Sequence, residues 1–269
     1  MYSPIQSVRI KGVAGDPLPT VFESLEGQGV RLLRGQFALV CAGPGCGKSV
    51  FALTYAITSG VPTLYVSADS DPFTQASRLL SIVSGRDLEQ SASTVRSMRR
   101  GDPAERLMRV PIRFMYDAAP SLGRIEQVLL AYEECYGHYP SLIVVDNVTN
   151  IRTDTAEEGG DPYAGLEYLA DQLHVLARET KACVVGLHHV TGEFNNSDKP
   201  VPLNGVKSQV TRVPELVLTM HKHEPIPGVV SLRVSPVKNR NGKADPTGRT
   251  FAELDYDGRF ARIKDYGAL

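Results

Sequence analysis

The chain has 269 residues and a formal net charge of −1, with 42% hydrophobic and 22% charged residues. Those proportions belong to a globular protein rather than a disordered one. The near-neutral charge excludes a protein that coats nucleic acid with its whole surface, so any such contact is local or is pooled from several copies. No apolar run is long enough to cross a bilayer, and the opening MYSPIQSVRIKG lacks the apolar stretch of a secretory leader. Cys41, Cys46, Cys135 and Cys183 show no metal-binding spacing, which makes a reducing cytoplasm the expected compartment.

Residues 1–36 read as a short β-rich lead-in, and 37–269 as one domain. From Phe37, strand-like runs alternate with helical stretches: 37–42, 48–59, 63–67, 72–84, 112–116, 121–136, 141–146, 162–179 and 182–187. That rhythm predicts an α/β fold with a mostly parallel central sheet flanked by helices. Asp71-Pro72 and Asp161-Pro162 each read as a helix cap followed by proline at the first helical position. After Gly205 the pattern turns to strands at 215–221, 229–237, 248–256 and 259–264, an antiparallel C-terminal extension whose last pair is joined by a hairpin signal at Asp257-Gly258. Two stretches resist assignment. Residues 85–111 are arginine-rich, and residues 191–212 form a long polar loop of the kind that is usually functional or disordered.

The stretch CAGPGCGKSV carries the chemistry. It lies between an apolar strand and a helical run, the context a phosphate-binding loop requires. Gly43, Gly45 and Gly47 let successive backbone N–H groups turn toward an anion, and the helix N-terminus behind them favours negative charge. The expected nucleotide-binding set is Ala42, Gly43, Pro44, Gly45, Cys46, Gly47, Lys48, Ser49 and Val50. Lys48 reaches the β- and γ-phosphates, and Ser49 offers Mg²⁺ a hydroxyl. Ala42 stands where the first glycine of the strict pattern usually falls. Asp146 closes the strand SLIVVD as the second expected Mg²⁺ ligand. Asp69, in TLYVSADSD, is the candidate base for the attacking water, with Asp71 left to cap the following helix.

The order GPGCGKS, VSADSD, SLIVVD, VVGLHHV, VKNRNG resembles the RecA-type ATPase core of DnaB-like replicative helicases, from about Leu33 to Phe260. The resemblance implies a RecA-like P-loop NTPase fold using ATP and Mg²⁺. It places Asp69 where the family carries a catalytic glutamate, one methylene longer, so that hydrolysis by this chain is expected to be slow. It makes His189 a γ-phosphate sensor, with His188 the weaker candidate, and gives Lys238 and Arg240 the role of reaching a neighbouring subunit's γ-phosphate. It therefore implies a homo-oligomer, a hexameric ring, acting on single-stranded or forked DNA. Loop 191–212, with Lys199, Lys207 and Arg212, falls where the family lines its DNA channel, and Phe194 is its one aromatic. The family's primase-recruiting N-terminal domain has no room here, which suggests a reduced, phage-encoded version. Three other readings stay open: a RecA-like recombinase filament, a nucleotide-switched interaction protein, and a nuclease on an ATPase frame. The last draws on a possible metal cluster at His221, His223 and Glu224.

Overall fold

The computed structural model describes residues 2–97, 101–152, 162–208 and 210–267. Its elements in chain order begin with α1 (Pro4–Ile10), α2 (Glu23–Gly27), β1 (Phe37–Cys41), α3 (Lys48–Ser59), β2 (Thr63–Ser67) and α4 (Pro72–Ser84). There follow α5 (Leu88–Ser97), α6 (Asp102–Met108), β3 (Ile112–Tyr116), α7 (Leu122–Tyr136), β4 (Leu142–Asp146), α8 (Pro162–Thr180) and β5 (Cys183–His188). The chain closes with β6 (Leu216–Ile226), β7 (Val229–Asn239), β8 (Ala252–Asp257) and β9 (Arg262–Asp265).

The strands of the described residues make one sheet in the order β3-β2-β4-β5-β1-β6-β7-β8-β9. Pairing is parallel from β3 through to β6 and antiparallel from β6 to β9. The expected α/β class with an antiparallel extension is what the chain adopts. Strands β1, β2, β4 and β5 are buried on both faces, which explains why they read as continuous apolar runs. Alternate residues divide between two cores. Ala38 and Val40 pack on the side of Phe51, Tyr55 and the lead-in, whereas Phe37 and Leu39 pack on the side of Ile125, Leu129, Leu169 and Leu173. Because the pairing is parallel, the C-terminal strand ends fall in line. Cys41 stands opposite His188, and Ser67 opposite Asp146.

One expectation needs correction, and two further stretches gain detail. The lead-in is not β-rich: its described residues hold two short helices and a single antiparallel bridge, Pro17 with Leu33. What orders it is tertiary contact. Asp265 accepts hydrogen bonds from the N–H groups of Glu23 and Ser24 at the start of α2, and Phe22 stacks on Phe51 with ring centroids 5.1 Å apart. The 85–111 connection contains α5 and α6. The last two strands do form a hairpin at Asp257-Gly258, with Asp257 paired to Arg262 across a 3₁₀ turn at Gly258–Phe260 and Ala261 at φ 43°. Asp71 caps α4 by accepting from Thr74 N at 2.7 Å; the corresponding cap expected at Asp161 lies outside the described residues.

The lead-in covers an apolar cavity of about 370 Å³ floored by Val40, Val144 and Leu218 and walled by Phe22, Phe51 and Tyr55. Phe22 is only 3% exposed and holds this cover down. Phe22→Ala should lower the unfolding free energy by about 3 kcal/mol, the range for a large aromatic truncation in a core, read as a lower denaturant midpoint with an unchanged slope.

Candidate nucleotide-binding site

Strand β1 ends at Cys41, and the chain turns through Gly43–Gly47 into α3. Gly45 (φ 67°) and Gly47 (φ 114°) occupy left-handed conformations that a side chain would oppose. Gly43 does not. Its glycine is required because a Cβ there would meet the Asn195 carbonyl oxygen, so loop 191–212, rather than phosphate, sets that position. No side chain caps the N-terminus of α3, which leaves its first N–H groups directed at the loop's concavity. Lys48 is buried, its ammonium donating to the carbonyls of Ala42 (2.9 Å) and Gly43 (3.1 Å). Burial lowers its pKa from the ordinary lysine value, while nearby Asp146 and Asp69 oppose the shift.

A cavity of about 240 Å³ opens over this turn. Pro44, Gly45, Gly47, Lys48, Ser49 and Val50 line it from below, and Asp69, Asp146 and His189 line it from the strand ends. Asp146 is 2% exposed. Burial raises its carboxyl pKa, and hydrogen bonds from Tyr65 Oη (2.8 Å) and Ser49 pull it partly back. Burial disfavours the charged carboxylate, and the nearby Lys48 ammonium offsets part of that cost. The Ser49–Asp146 pair is a set of hard oxygen donors of the kind Mg²⁺ takes alongside phosphate oxygens. Asp69 lies in the exposed bend after β2, its N–H bonded to the Asp146 carbonyl at 3.2 Å. Asn147 Nδ2 donates to His189 Nε2 at 2.6 Å, which requires the ring proton on Nδ1. Burial lowers the His189 pKa, and Lys48 lowers it further.

The remaining sequence candidates gather elsewhere. Lys238 and Arg240 converge on the end of loop 191–212. Lys238 Nζ donates to the carbonyls of Thr211 and Arg212, both at 2.7 Å, and Arg240 Nη2 donates to that of Arg212 at 3.1 Å. Arg240 also stands 3.7 Å from Glu215. Neither residue lines this chain's own cavity. Burial and the adjacent Arg240 bring the Lys238 pKa down to about 8. The loop itself is folded, with 3₁₀ turns at Gly192–Phe194, Leu203–Gly205 and Val210–Arg212. Phe194 is 8% exposed and packs against Gly205, with the Lys199 ammonium 4.7 Å above its ring. It is a core residue of the loop and is not free to stack on a base. Lys199 pairs with Glu193 (3.4 Å) and Arg212 with Glu167 (3.9 Å), both at the surface. Lys207 is exposed and flanks His189.

Four cavity residues lie outside the sequence candidates: Ser70, Asn147, Arg78 and Tyr256. Arg78 reaches in from α4 and donates to Ser70 Oγ at 3.2 Å. Its signal is present in the sequence, because it is the lone charge in PFTQASRLLSIVS. Tyr256 of β8 stands against Gly47, where an added Cβ would meet the ring at 3.4 Å. Nothing local marks that tyrosine, since only the sheet brings β8 to the loop.

A glycine turn between strand and helix, a lysine at the start of that helix, and an aspartate at the end of β4, with β5 between it and β1, define a P-loop ATPase. The chain matches the model of the AAA domain family over residues 5–193 and belongs to that family. It is 55% identical over 268 residues to the gene 65 protein of Mycobacterium phage L5, covering 99% of this chain and 100% of that protein. To the gene 65 protein of Mycobacterium phage D29 it is 55% identical over 229 residues, covering 85% and 98%. Among solved structures it is similar to a DnaB-like replicative helicase described with its interactions with primase, with a TM-score of 0.78 and 15% identity over 96% of this chain. The chain spans 66% of that helicase's length. It is also similar to a separately solved ATPase domain, with a TM-score of 0.75 and 15% identity, covering 97% of this chain and 95% of that one. The resemblance to DnaB-like ATPase cores therefore holds in the fold. No helix among the described residues is long and apolar enough to cross a membrane.

The other two histidines of interest are structural. His188 is fully buried, its Nε2–H donating to the Lys207 carbonyl at 2.7 Å, so it does not face the cavity. His221 is 2% exposed and sits edge-on to Phe251. Among the described residues no group of three His, Cys, Asp or Glu side chains is placed to hold a metal, which removes the support for a His221–His223–Glu224 cluster. Burial depresses both His188 and His221 from 6.5 to about 4. A depressed histidine favours the fold fully above its unfolded pKa and loses that contribution as the pH falls through the folded one. Stability should be full above about pH 6.5 and decline toward pH 4. His188→Gln, which keeps a donor for the Lys207 carbonyl, should flatten that decline in melts taken across the range.

Proposed function

We propose that the chain hydrolyses Mg-ATP in an oligomeric ring, each site shared between adjacent copies, and that hydrolysis drives movement along single-stranded or forked DNA. The observation that carries this reading is a division of charge. The cavity has the phosphate turn, Lys48, a Ser49–Asp146 pair for Mg²⁺ and Asp69 at the position of a base. Lys238 and Arg240, the pair suited to the leaving charge of phosphoryl transfer, stand together outside it, so another copy's cavity is the place for them to act.

In this reading the N–H groups from Gly45 to Ser49 hold the phosphates at the α3 N-terminus, and Lys48 exchanges its carbonyl partners for phosphate oxygens. Ser49 and Asp146 would hold Mg²⁺, which when bound would supply positive charge to offset that of the phosphates. Asp69 orients the attacking water and accepts its proton on a carboxylate oxygen. His189, neutral at physiological pH and already bonded to Asn147, faces the γ-phosphate position and passes its state to Lys207 through the adjacent backbone. Arg78 adds a positive charge from the same chain, and the Tyr256 ring gives the base a flat surface beside Gly47. A ring would present Lys199, Lys207 and Arg212 in several copies, enough to follow a phosphate backbone where one copy is too weak.

The decisive test mixes two inactive variants. Lys48→Ala and Arg240→Ala should each lose at least about 100-fold in ATP turnover, the usual scale for removing one transition-state charge. Mixing them under conditions of subunit exchange should restore part of it, because some boundaries then pair an intact turn with an intact arginine. No recovery despite demonstrated exchange refutes the shared site. Closed rings rather than extended helices on DNA, seen by electron microscopy, separate this reading from a recombinase filament.

A further inference from the structure

Loop 191–212 is fastened directly to the phosphate turn, and the fastening is one serine. Ser197 is 1% exposed and sits at φ 53°, a left-handed value that side chains disfavour. All its polar groups are engaged. Its N–H donates to the Phe194 carbonyl (3.0 Å), and its carbonyl accepts from Lys222 N (2.7 Å). Its hydroxyl accepts from Gly43 N at 2.9 Å, and it works against the larger raising effect of burial on the Cys46 thiol's pKa. One side chain thus holds the start of Gly43–Cys46 and acts on its end.

A bend of this shape is easiest for glycine, so backbone geometry does not explain a serine here, whereas the bond its hydroxyl accepts from Gly43 does. The approach is close as well as bonded, since the Asn195 carbonyl oxygen occupies the space a Cβ on Gly43 would take. Beyond Ser197, Lys222 of β6 lays its ammonium 5.5 Å over the ring of Tyr256, and Tyr256 stands on Gly47. The turn is therefore held at its start by Ser197 and at its end by Tyr256, with Lys222 linking the two supports.

We propose that Ser197 is a positioning residue for the phosphate turn. Its hydroxyl fixes Gly43–Cys46 in the shape that aims the following N–H groups, and it couples that shape to the segment bearing Lys199 and Lys207. The proposal rests on the nucleotide reading of the cavity. A load on the loop is thereby felt at the turn, and a filled turn stiffens the loop.

Ser197→Gly isolates the hydroxyl, because it removes that group while relieving the left-handed backbone. The full-length variant should melt at or above the wild-type temperature. It should bind a fluorescent ATP analogue about fivefold more weakly, the equivalent of one net hydrogen bond, with the loss falling on KM more than on kcat. In the wild type the analogue should slow amide exchange across 192–198, and in Ser197→Gly that protection should disappear. A folded Ser197→Gly protein with wild-type affinity, or a wild type whose 192–198 exchange ignores nucleotide, overturns the proposal. Lys48→Ala separates the two levels. If it too binds the analogue normally, the nucleotide reading itself fails; if it alone loses binding, only the role of Ser197 does.

Discussion

The structure depends on the turn from β1 to α3, where main-chain N–H groups and a helix end are left to be satisfied by something outside the chain. Such groups are unfavourable to bury without partners, and the fold does not cap them with a side chain. Instead it brings what a phosphate requires. Because β1, β2, β4 and β5 run parallel, their C-terminal ends share one edge, and the residues at or just past those ends are delivered to the same cavity. Asp69 follows β2, Asp146 ends β4 and His189 follows β5. One connection rule, repeated along the chain, assembles the site without a dedicated binding domain.

The second constraint is how little of loop 191–212 is free. It is long and polar, yet Phe194, Val201, Val206 and Val210 are buried in the same core as β4 and β5, and Ser197 and His188 pin it at two points. A polar loop organised by a few apolar anchors moves as a unit, since displacing one anchor disturbs the rest. Its cations are therefore presented by a stiff support. That is the property a transmitting element needs, and a floppy tether lacks it.

Much of this is legible in the sequence, for physical reasons that differ by element. The parallel strands announce themselves because burial on two faces leaves no room for polar residues, and the boundaries of α3 and α4 because Gly60, Gly85 and the Asp71-Pro72 pair mark helix ends. The phosphate turn is legible because its chemistry is local. The lead-in misleads because α2 is held by Asp265, more than two hundred residues away, and no local pattern encodes that. Tyr256 escapes a reading of the sequence for the same reason, and Gly43 invites the wrong cause. It does need to be glycine, but for Asn195 and not for an anion.

The antiparallel extension shows how one irregularity can redirect a charged side chain. In β7, Leu232 and Val234 pack in the core beneath the lead-in, and Val237 packs in the opposite one. Strict alternation would send Lys238 to the side of Val234. The register instead shifts between Val217 and Leu218, so that Leu218 faces Pro236 while Val217 faces Lys238 and Val237 is passed over. Directly paired residues share a face, so Lys238 joins the side of Val217, where the Thr211 and Arg212 carbonyls receive its ammonium. A bulge that re-aims a charge in this way is a recurrent device near functional sites. Here it sets Lys238 and Arg240 on the same carbonyl, at the end of the very loop whose other end grips the phosphate turn. Any displacement of those cations must first release that carbonyl, so it also acts on the loop, whose other end is bonded through Ser197 to Gly43.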